Sequence, residues 1–449
     1  MAESIFKAYD IRGIYPDQLD EEGVYQIIQA YIKVVKPKKV VVSRDVREHG
    51  PQLQQAAIRS FIEAGVDVVD AGLVSTDMFY WAVANLPVEG GVTLSASHNA
   101  REWNGLNMAR QGAEPISKES GLDEIKNLAL AGCRVESDRK GMIKEQDILD
   151  DYCRWLLSLI DVGKLTPLTL AVNPNHGYQG IVLERIIELG KLPIKVKKIY
   201  FEPDGTFPLP GGHPNPLIPE NRHASVELVQ TSAANLGVSW DADGDRCFLI
   251  DETGRFLEGY FTTAVLAVEQ LKKHPGGKVI IDPRLIWAST QAILANGGLP
   301  IISRAGMTII AKRMQAEGAI FAGEMSAHYY FPETYNRDNG MLPLFRILEL
   351  MASSRKKLSE IYDPYLAKYF VSGEINSTVT DIQMILKSIE TKYVGGKVEH
   401  IDGVSVEYPD WRFNLRSSNT EPLLRLNVEA NSKKVMEQKR DELLAIIRA

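Results

Sequence analysis

The chain is poor in cysteine, in net positive charge and in long apolar runs, and each shortage closes off a class of function. Cys133, Cys153 and Cys247 are too few and too scattered over 449 residues for a disulfide framework or a zinc site. They read as small core residues in a reducing compartment. Lys and Arg number 51 against 58 Asp and Glu, a net charge of −7, so no basic excess exists to neutralise a nucleic-acid backbone. A small phosphorylated ligand stays compatible, because it needs only a local cluster of Arg and Lys. No apolar run approaches the ~20 residues of a membrane helix. The segment Met1-Ala-Glu-Ser-Ile-Phe-Lys7 lacks the basic start and apolar stretch of a signal peptide. With low-complexity sequence also missing, the expectation is a cytoplasmic, small-molecule protein.

What is present is a chain of 45% apolar residues, larger than one core usually supports. Three or four domains of ordinary size are expected. Buried-strand runs such as Lys39-Val-Val-Val-Ser43 alternate with helix-like segments such as Pro51 to Ala64, a βαβ rhythm that predicts a mainly parallel, helix-covered sheet. The same rhythm recurs from about Gln146 to Ile250 and again after Asp251, which hints at a repeat without residue-level periodicity. Around Tyr362-Asp-Pro-Tyr365 it gives way to short strands and two helices, the pattern of an antiparallel α+β domain. The expected domains are 1–145, 146–250, 251–362 and 366–449.

Four short segments carry chemistry. Asp241, Asp243 and Asp245 alternate, so on an extended loop three carboxylates can converge on one hard cation. Crowded like charge is costly without a metal, although an isolated Asp-x-Asp-x-Asp also suits a solvated turn. An EF-hand is excluded, because Arg246 stands at the turn glycine and the flanks read as strands. Arg246 can instead help neutralise a phosphoryl group. Ser97 sits in Thr93-Leu-Ser-Ala-Ser-His-Asn99, on a loop closed by Asn104-Gly105 just past a strand's C-terminal end, where open α/β sheets place ligands. Alone, Ser97-His98 is more often a turn element; beside a metal loop, a phosphorylatable serine fits. No Gly-x-Ser-x-Gly elbow occurs, which argues against a serine hydrolase. Arg416-Ser-Ser-Asn-Thr420 offers a guanidinium, hydroxyls, an amide and loop N–H groups to a phosphate dianion, with Arg425 in support. Glu324 and Ser326 alternate on what reads as an extended segment that His328 continues, so a carboxylate and a hydroxyl face one side and suit vicinal sugar hydroxyls.

Together, in this order and spacing, these segments resemble the α-D-phosphohexomutases, and within them the phosphomannomutase/phosphoglucomutase group. The resemblance covers essentially the whole chain, from Phe6-Lys-Ala-Tyr-Asp-Ile-Arg-Gly13 onward. It implies an α/β fold of three related domains with mixed, mainly parallel sheets and a smaller C-terminal α+β domain, around a central cleft. It implies Ser97 as the residue carried as phosphoserine, and Asp241, Asp243 and Asp245 as holders of Mg2+ together with that phosphate. Tyr9 and Arg12 would join the active site, Arg304 and Gly306 a substrate-contacting segment, Glu324 and Ser326 the sugar loop. Arg416, Ser418, Asn419 and Thr420 would form the phosphate loop. Ala100, Ala242 and Ala327 replace a proline and two glycines of the family pattern. Asn107 replaces a lysine and Met307 a frequent histidine, which throws the acid–base roles onto Arg12, His98 or His328.

The implied reaction interconverts hexose 6-phosphate and hexose 1-phosphate, of mannose or glucose, through a hexose 1,6-bisphosphate that turns around in the cleft while the fourth domain closes over it. Phosphoglucosamine mutation is the nearest alternative, disfavoured by Met325 in the sugar loop. A metal-dependent sugar phosphatase, or a silent sugar-phosphate binder suggested by Asn107 and Met307, comes from other classes. A monomer or dimer with sugar phosphates as partners is expected.

Overall fold

The computed structural model describes residues 1–417 and 423–449. The chain divides into two compact units, Met1–Phe256 with Glu333–Arg355, and Leu257–Pro332 with Lys356–Ala449.

The first unit holds two sheets. One runs from edge to edge through Ile11–Ile14, Trp103–Arg110, Gly90–Leu94, Lys39–Arg44, Asp67–Leu73 and Ile143–Glu145. Lys39–Arg44 is central and parallel to both Gly90–Leu94 and Asp67–Leu73, whereas Trp103–Arg110 returns antiparallel beside Gly90–Leu94. Val40 and Val42 pack with Ile27 and Phe61, while Gly91, on the strand beside Val41, sits against both Val41 and Phe79. A strand apolar on both faces is what a helix-covered parallel sheet requires. The helix Glu21–Val35 begins where Asp20 accepts from Gly23 N at 2.8 Å, with Glu21 and Glu22 in its first turn and Lys36 closing it in the left-handed region.

The second sheet, Cys247–Asp251, Leu236–Trp240, Leu168–Asn173 and Ile194–Lys198, repeats the plan. Its first strand in sequence is central, its parallel neighbours are the second and third, and the fourth returns antiparallel. In the second unit, Tyr329–Phe331, Phe321–Gly323, Lys278–Ile281 and Leu299–Ile302 follow the same order. The repeat hinted at by the sequence rhythm is therefore a repeat of topology. The last sheet, with Phe370–Val371, Leu423–Ala430, Trp411–Ser417, Val404–Glu407 and Lys397–Glu399 in order, is antiparallel throughout. One face packs Phe413, Leu415, Leu426 and Val428 against Ile389, Leu443 and Ile447. By strand alternation the other face carries Arg412, Asn414, Arg416, Arg425, Asn427 and Glu429. Three related α/β domains and a smaller α+β domain are thus what the chain builds. No helix among the described residues is long and apolar enough to cross a membrane.

One expectation is corrected. Asn104-Gly105 does not close the Ser97 loop as a turn, because both residues lie inside the strand Trp103–Arg110, opposite Gly13 and Arg12. The glycine is needed for close approach, since a Cβ at Gly105 would fall 2.0 Å from Ile11 O.

A buried carboxyl joins the two sheets of the first unit. Asp77, near the start of helix Thr76–Asn85, accepts from Ser75 Oγ, from Met78 N at 2.9 Å, from Tyr152 Oη at 2.8 Å and from Gln179 Nε2 at 3.1 Å. Asn339 donates to the same Tyr152 oxygen at 3.0 Å, and Gln179 Nε2 also reaches Gly244 O at 2.6 Å. Burial raises the Asp77 carboxyl from 3.8 to about 6, even though these donors pull it down. Between those values the native state keeps a proton that the unfolded chain releases, so this group's contribution to stability falls as pH rises through that window. Urea unfolding of wild type and Asp77→Asn should show the wild-type advantage shrinking by roughly 2–3 kcal/mol between about pH 4 and pH 7. A difference that grows with pH would refute the assignment.

Candidate active site

Each α/β sheet presents its motif at the same place, the hairpin that joins a parallel strand to its antiparallel return. In the first sheet that hairpin holds Ser97, buried, with a backbone φ of +48°. Its N–H donates to Ser95 Oγ at 2.9 Å, and its hydroxyl lies 3.1 Å from His98 Nδ1. Arg12 reaches the same loop from the strand Ile11–Ile14, donating to Ala96 O at 3.2 Å and Asn99 Oδ1 at 2.6 Å while pairing with Asp10 at 2.7 Å. Tyr9 stands half-buried in the turn just before that strand. Asn107 lies on Trp103–Arg110 opposite Thr93.

The second hairpin is acidic. Asp241, Asp243 and Asp245 bring carboxylate oxygens within 4.8 Å of one another. They meet around a turn at Gly244, whose N–H donates to Asp241 O at 3.1 Å, and not along an extended loop as the alternation suggested. The first sheet supplies donors: Thr76 Oγ1 to Asp243 Oδ2 at 2.9 Å, Ser95 Oγ to the same atom at 3.4 Å, and Ser97 Oγ to Asp241 Oδ2 at 3.2 Å. Arg246 Nε sits 3.4 Å from Asp241 Oδ2. Burial, with Asp245 and Asp241 beside it, drives the Asp243 carboxyl well above the usual range. Its other oxygen, Oδ1, is buried with no hydrogen-bond partner among the described residues. Three converging carboxylates, one with an orphaned oxygen, fit a hard divalent cation.

The third hairpin belongs to the second unit. Glu324 to Ala327 form a tight turn, not the extended segment expected, closed by Glu324 N to His328 O and Ala327 N to Glu324 O, both at 3.0 Å. Ala327 pays for the missing glycine with a φ of +65°. The turn, instead of a pleat, brings the side chains together: His328 Nδ1 is 2.9 Å from Ser326 Oγ and 3.2 Å from Glu324 Oε2. Gly306 N and Tyr330 Oη donate to Glu324 at 3.1 and 2.6 Å, whereas Arg304 is exposed. Burial opposes the Glu324 charge, but His328, Arg284 and Tyr330 outweigh it and bring the carboxyl down to about 2. It is therefore an ionised acceptor at every working pH.

Arg284, its partner Asp282 and Glu374 were not legible in sequence. Arg284 forms a two-point pair with Asp282 at 3.0 and 2.9 Å and lies 3.5 Å from Ser326 Oγ and 3.8 Å from Glu324. Glu374 receives Arg284 at 3.6 Å, Arg416 at 3.5 Å and Arg425 at 3.3 Å. Ser418, Asn419 and Thr420 fall outside the described residues. The only sequence signal for Arg284 is its spacing from Asp282 beyond a strand end.

Compared with known proteins, residues 3–132, 150–254 and 258–369 match the phosphoglucomutase/phosphomannomutase alpha/beta/alpha domains I, II and III, and 374–446 match the C-terminal domain. The chain belongs to the phosphoglucomutase/phosphomannomutase family. A phosphomannomutase of Salmonella typhimurium is 42% identical over 451 residues, 98% of each chain. A protein of Xanthomonas campestris named for phosphohexose mutases is 40% identical over 94% of each. A phosphoglucomutase/phosphomannomutase family protein of Burkholderia thailandensis superposes with a TM-score of 0.88 at 29% identity, covering 100% of this chain and 98% of its own.

For this member of the phosphoglucomutase/phosphomannomutase family, the acidic hairpin generates a test that needs no turnover. Mg2+ should raise the thermal midpoint of the substrate-free protein, because a ligand bound only to the native state stabilises it. The shift should shrink as pH falls, because protons compete with the cation for Asp243, whose carboxyl is held above the usual range by burial, and Asp243→Asn should largely abolish it. A midpoint indifferent to Mg2+ would remove the cation from this turn.

Proposed function

We propose that this hexose-phosphate mutase works by a phosphoserine relay centred on Ser97, passing through a hexose 1,6-bisphosphate. The observation that carries the reading is the placement of the Ser97 hydroxyl, 3.2 Å from Asp241 Oδ2 and 3.1 Å from His98 Nδ1, on a loop pinned at its backbone. Mannose and glucose phosphates are the substrates we favour, in keeping with the phosphomannomutase relative and with the phosphoglucomutase/phosphomannomutase family description. Met325 in the sugar loop argues for neutral hexoses over glucosamine.

In the first half-reaction the free hydroxyl of the bound sugar phosphate attacks the phosphorus of phospho-Ser97. A P–O bond forms to the sugar and the bond to Ser97 Oγ breaks. The sugar proton passes to His328, and protonated His98 returns one to Oγ. In the second half-reaction Ser97 gives its proton back to His98 and attacks the other phosphorus of the bisphosphate. The departing sugar oxygen takes its proton from His328. Protons and phosphoryl groups balance over the cycle, and an external bisphosphate is needed only to prime Ser97. Asp241, Asp243 and Asp245 would hold the divalent cation, with Mg2+ the candidate; when bound it supplies neutralisation of phosphoryl charge.

Arg12 contributes charge and not a proton. Burial works against its guanidinium, but Asp10, with Asp243 and Asp245 farther off, more than offsets this and raises it. Arg246 adds a second positive charge beside Asp241. Glu324 and Ser326 take the sugar hydroxyls, with Tyr9, Arg304 and Gly306 as further contacts. Arg416 and Arg425, with Ser418, Asn419 and Thr420, take the phosphate that is not transferred. Asn107 and Met307 carry no titratable group, which is why the two histidines take the proton roles. The free thiols of Cys133, Cys153 and Cys247 agree with a cytoplasmic location.

Ser97→Ala should reduce turnover of glucose 1-phosphate and mannose 1-phosphate by several orders of magnitude, since it removes the carrier itself. Intact-protein mass spectrometry should find a phosphate on Ser97 of the wild type and none on the variant. His98→Ala should slow turnover by roughly 10²–10⁴-fold, the usual worth of a positioned proton donor and acceptor. A phosphate on another residue, or wild-type turnover in either variant, would overturn the relay.

A further inference from the structure

Arg47 is completely buried, and every N–H of its guanidinium is engaged. Nε donates to Asp45 Oδ2 at 3.2 Å, Nη1 to Ala100 O at 2.7 Å and Trp103 O at 2.8 Å, and Nη2 to Ser97 O and Asn99 O, both at 2.7 Å. Four of the five acceptors are backbone carbonyls, and all four lie between Ser97 and the start of the antiparallel return. A loop whose carbonyls converge on one point has no neighbouring strand to satisfy them, and buried carbonyls without partners are costly. One planar cation with donors on two forks meets that geometry; a lysine ammonium, with three donors at a single point, does not.

The consequence falls on Ser97. Its carbonyl is held by Arg47 and its N–H by Ser95 Oγ, so both ends of the residue are fixed while φ stays at +48°, a region that non-glycine residues leave unless constrained. Freed from either restraint, the residue would relax toward negative φ and swing its hydroxyl away from Asp241. Arg47 is itself braced. Asp45 accepts from Arg47 N at 3.0 Å, and Asp45 N is bonded to Leu94 O at 2.9 Å, at the end of the strand that feeds the loop. From the second sheet's side the Phe207 ring lies 5.1 Å from the guanidinium carbon, and Gly205 bridges to the Arg47 backbone. A Cβ at Gly205 would fall 2.2 Å from Val46 O, so this approach is open to glycine alone.

We propose that Arg47, backed by Phe207, is the positioning residue that sets the Ser97 hydroxyl in its reactive pose. The proposal rests on Ser97 as the phosphoryl carrier. It predicts damage to turnover and not to sugar-phosphate affinity, because Arg47 touches the loop and none of the groups assigned to the sugar or the constant phosphate.

The experiment compares wild type, Arg47→Lys and Phe207→Leu by steady-state kinetics on glucose 1-phosphate, by the Mg2+-induced shift in thermal midpoint, and by intact mass. Arg47→Lys should lower kcat by about 100-fold, the scale of a small misplacement of a reacting group. Its KM should stay within a few-fold of wild type, and its Mg2+ shift should be retained. Phe207→Leu should lower kcat several-fold with KM unchanged. Wild-type kcat in Arg47→Lys, with phosphate present on Ser97 of the wild type, would overturn the positioning role and leave the relay standing. Parallel loss of kcat, KM and the Mg2+ shift would also overturn it, by reducing Arg47 to a general structural residue. Should Arg47→Lys fail to fold, an unchanged kcat in Phe207→Leu overturns the proposal and a reduced kcat at constant KM supports it. Active wild-type protein without phosphate on Ser97 would bring down the relay and this inference together.

Discussion

Mutual repulsion among three carboxylates in one buried turn is the constraint around which the first unit is organised. Asp241, Asp243 and Asp245 are too close to be ionised together without help, and burial makes the central one the worst placed. The help comes from segments far apart in sequence: Thr76 and Ser95 with hydroxyls on Asp243, Ser97 with its hydroxyl on Asp241, and Arg246 with its guanidinium. Each donor belongs to a hairpin or helix start whose position is set by the first or second sheet. The two sheets are thus tied together through the charges they must jointly manage, and the hydrogen bonds to Asp77 add a second tie beside them.

The second unit answers the opposite problem. Arg284, Arg416 and Arg425 crowd around Glu374, which burial alone would keep protonated but which the three guanidiniums hold below the usual carboxylate range. Arg412 pairs with Glu429 at 2.8 Å on the same polar face of the last sheet and donates to the carbonyls of Pro283 and Arg284. Glu429 in turn accepts from Ile286 N at 2.8 Å at the start of helix Trp287–Ala295. A sheet face that carries arginines and acids in alternation serves as an interface and as a charge reservoir.

Much of this was legible in the chain, and what was not has a common cause. The strands and helices around Lys39–Arg44, Leu168–Asn173 and Cys247–Asp251 follow from apolar runs and turn residues that act locally. The acidic and serine motifs stood out because their members are adjacent in sequence. Arg47, Arg284 and Glu374 did not, since each takes its role through partners about 40 to 90 residues away or through backbone carbonyls that carry no side-chain signature. Alternation misled at Glu324–His328, where period two reads as a pleat but hydrogen bonds close a turn. Asn104-Gly105 misled in the other direction, a turn-like pair placed in a strand by the crowding of Ile11. The helix Glu21–Val35 was legible as well, from Asp20, its acidic first turn and an unbroken apolar stripe of Val24, Ile27, Ile28, Tyr31, Ile32 and Val35.

The recurrence of one topology has a mechanical side. In each α/β sheet the motif-bearing loop is a hairpin of eight, six or five residues (95–102, 241–246, 324–328) strung between adjacent hydrogen-bonded strands. Such a loop is anchored at both ends about 5 Å apart, with too little slack to travel. Side chains mounted this way behave as fixed posts. Any displacement of these motifs is therefore carried by the sheet on which the hairpin is mounted, and not by the loop alone.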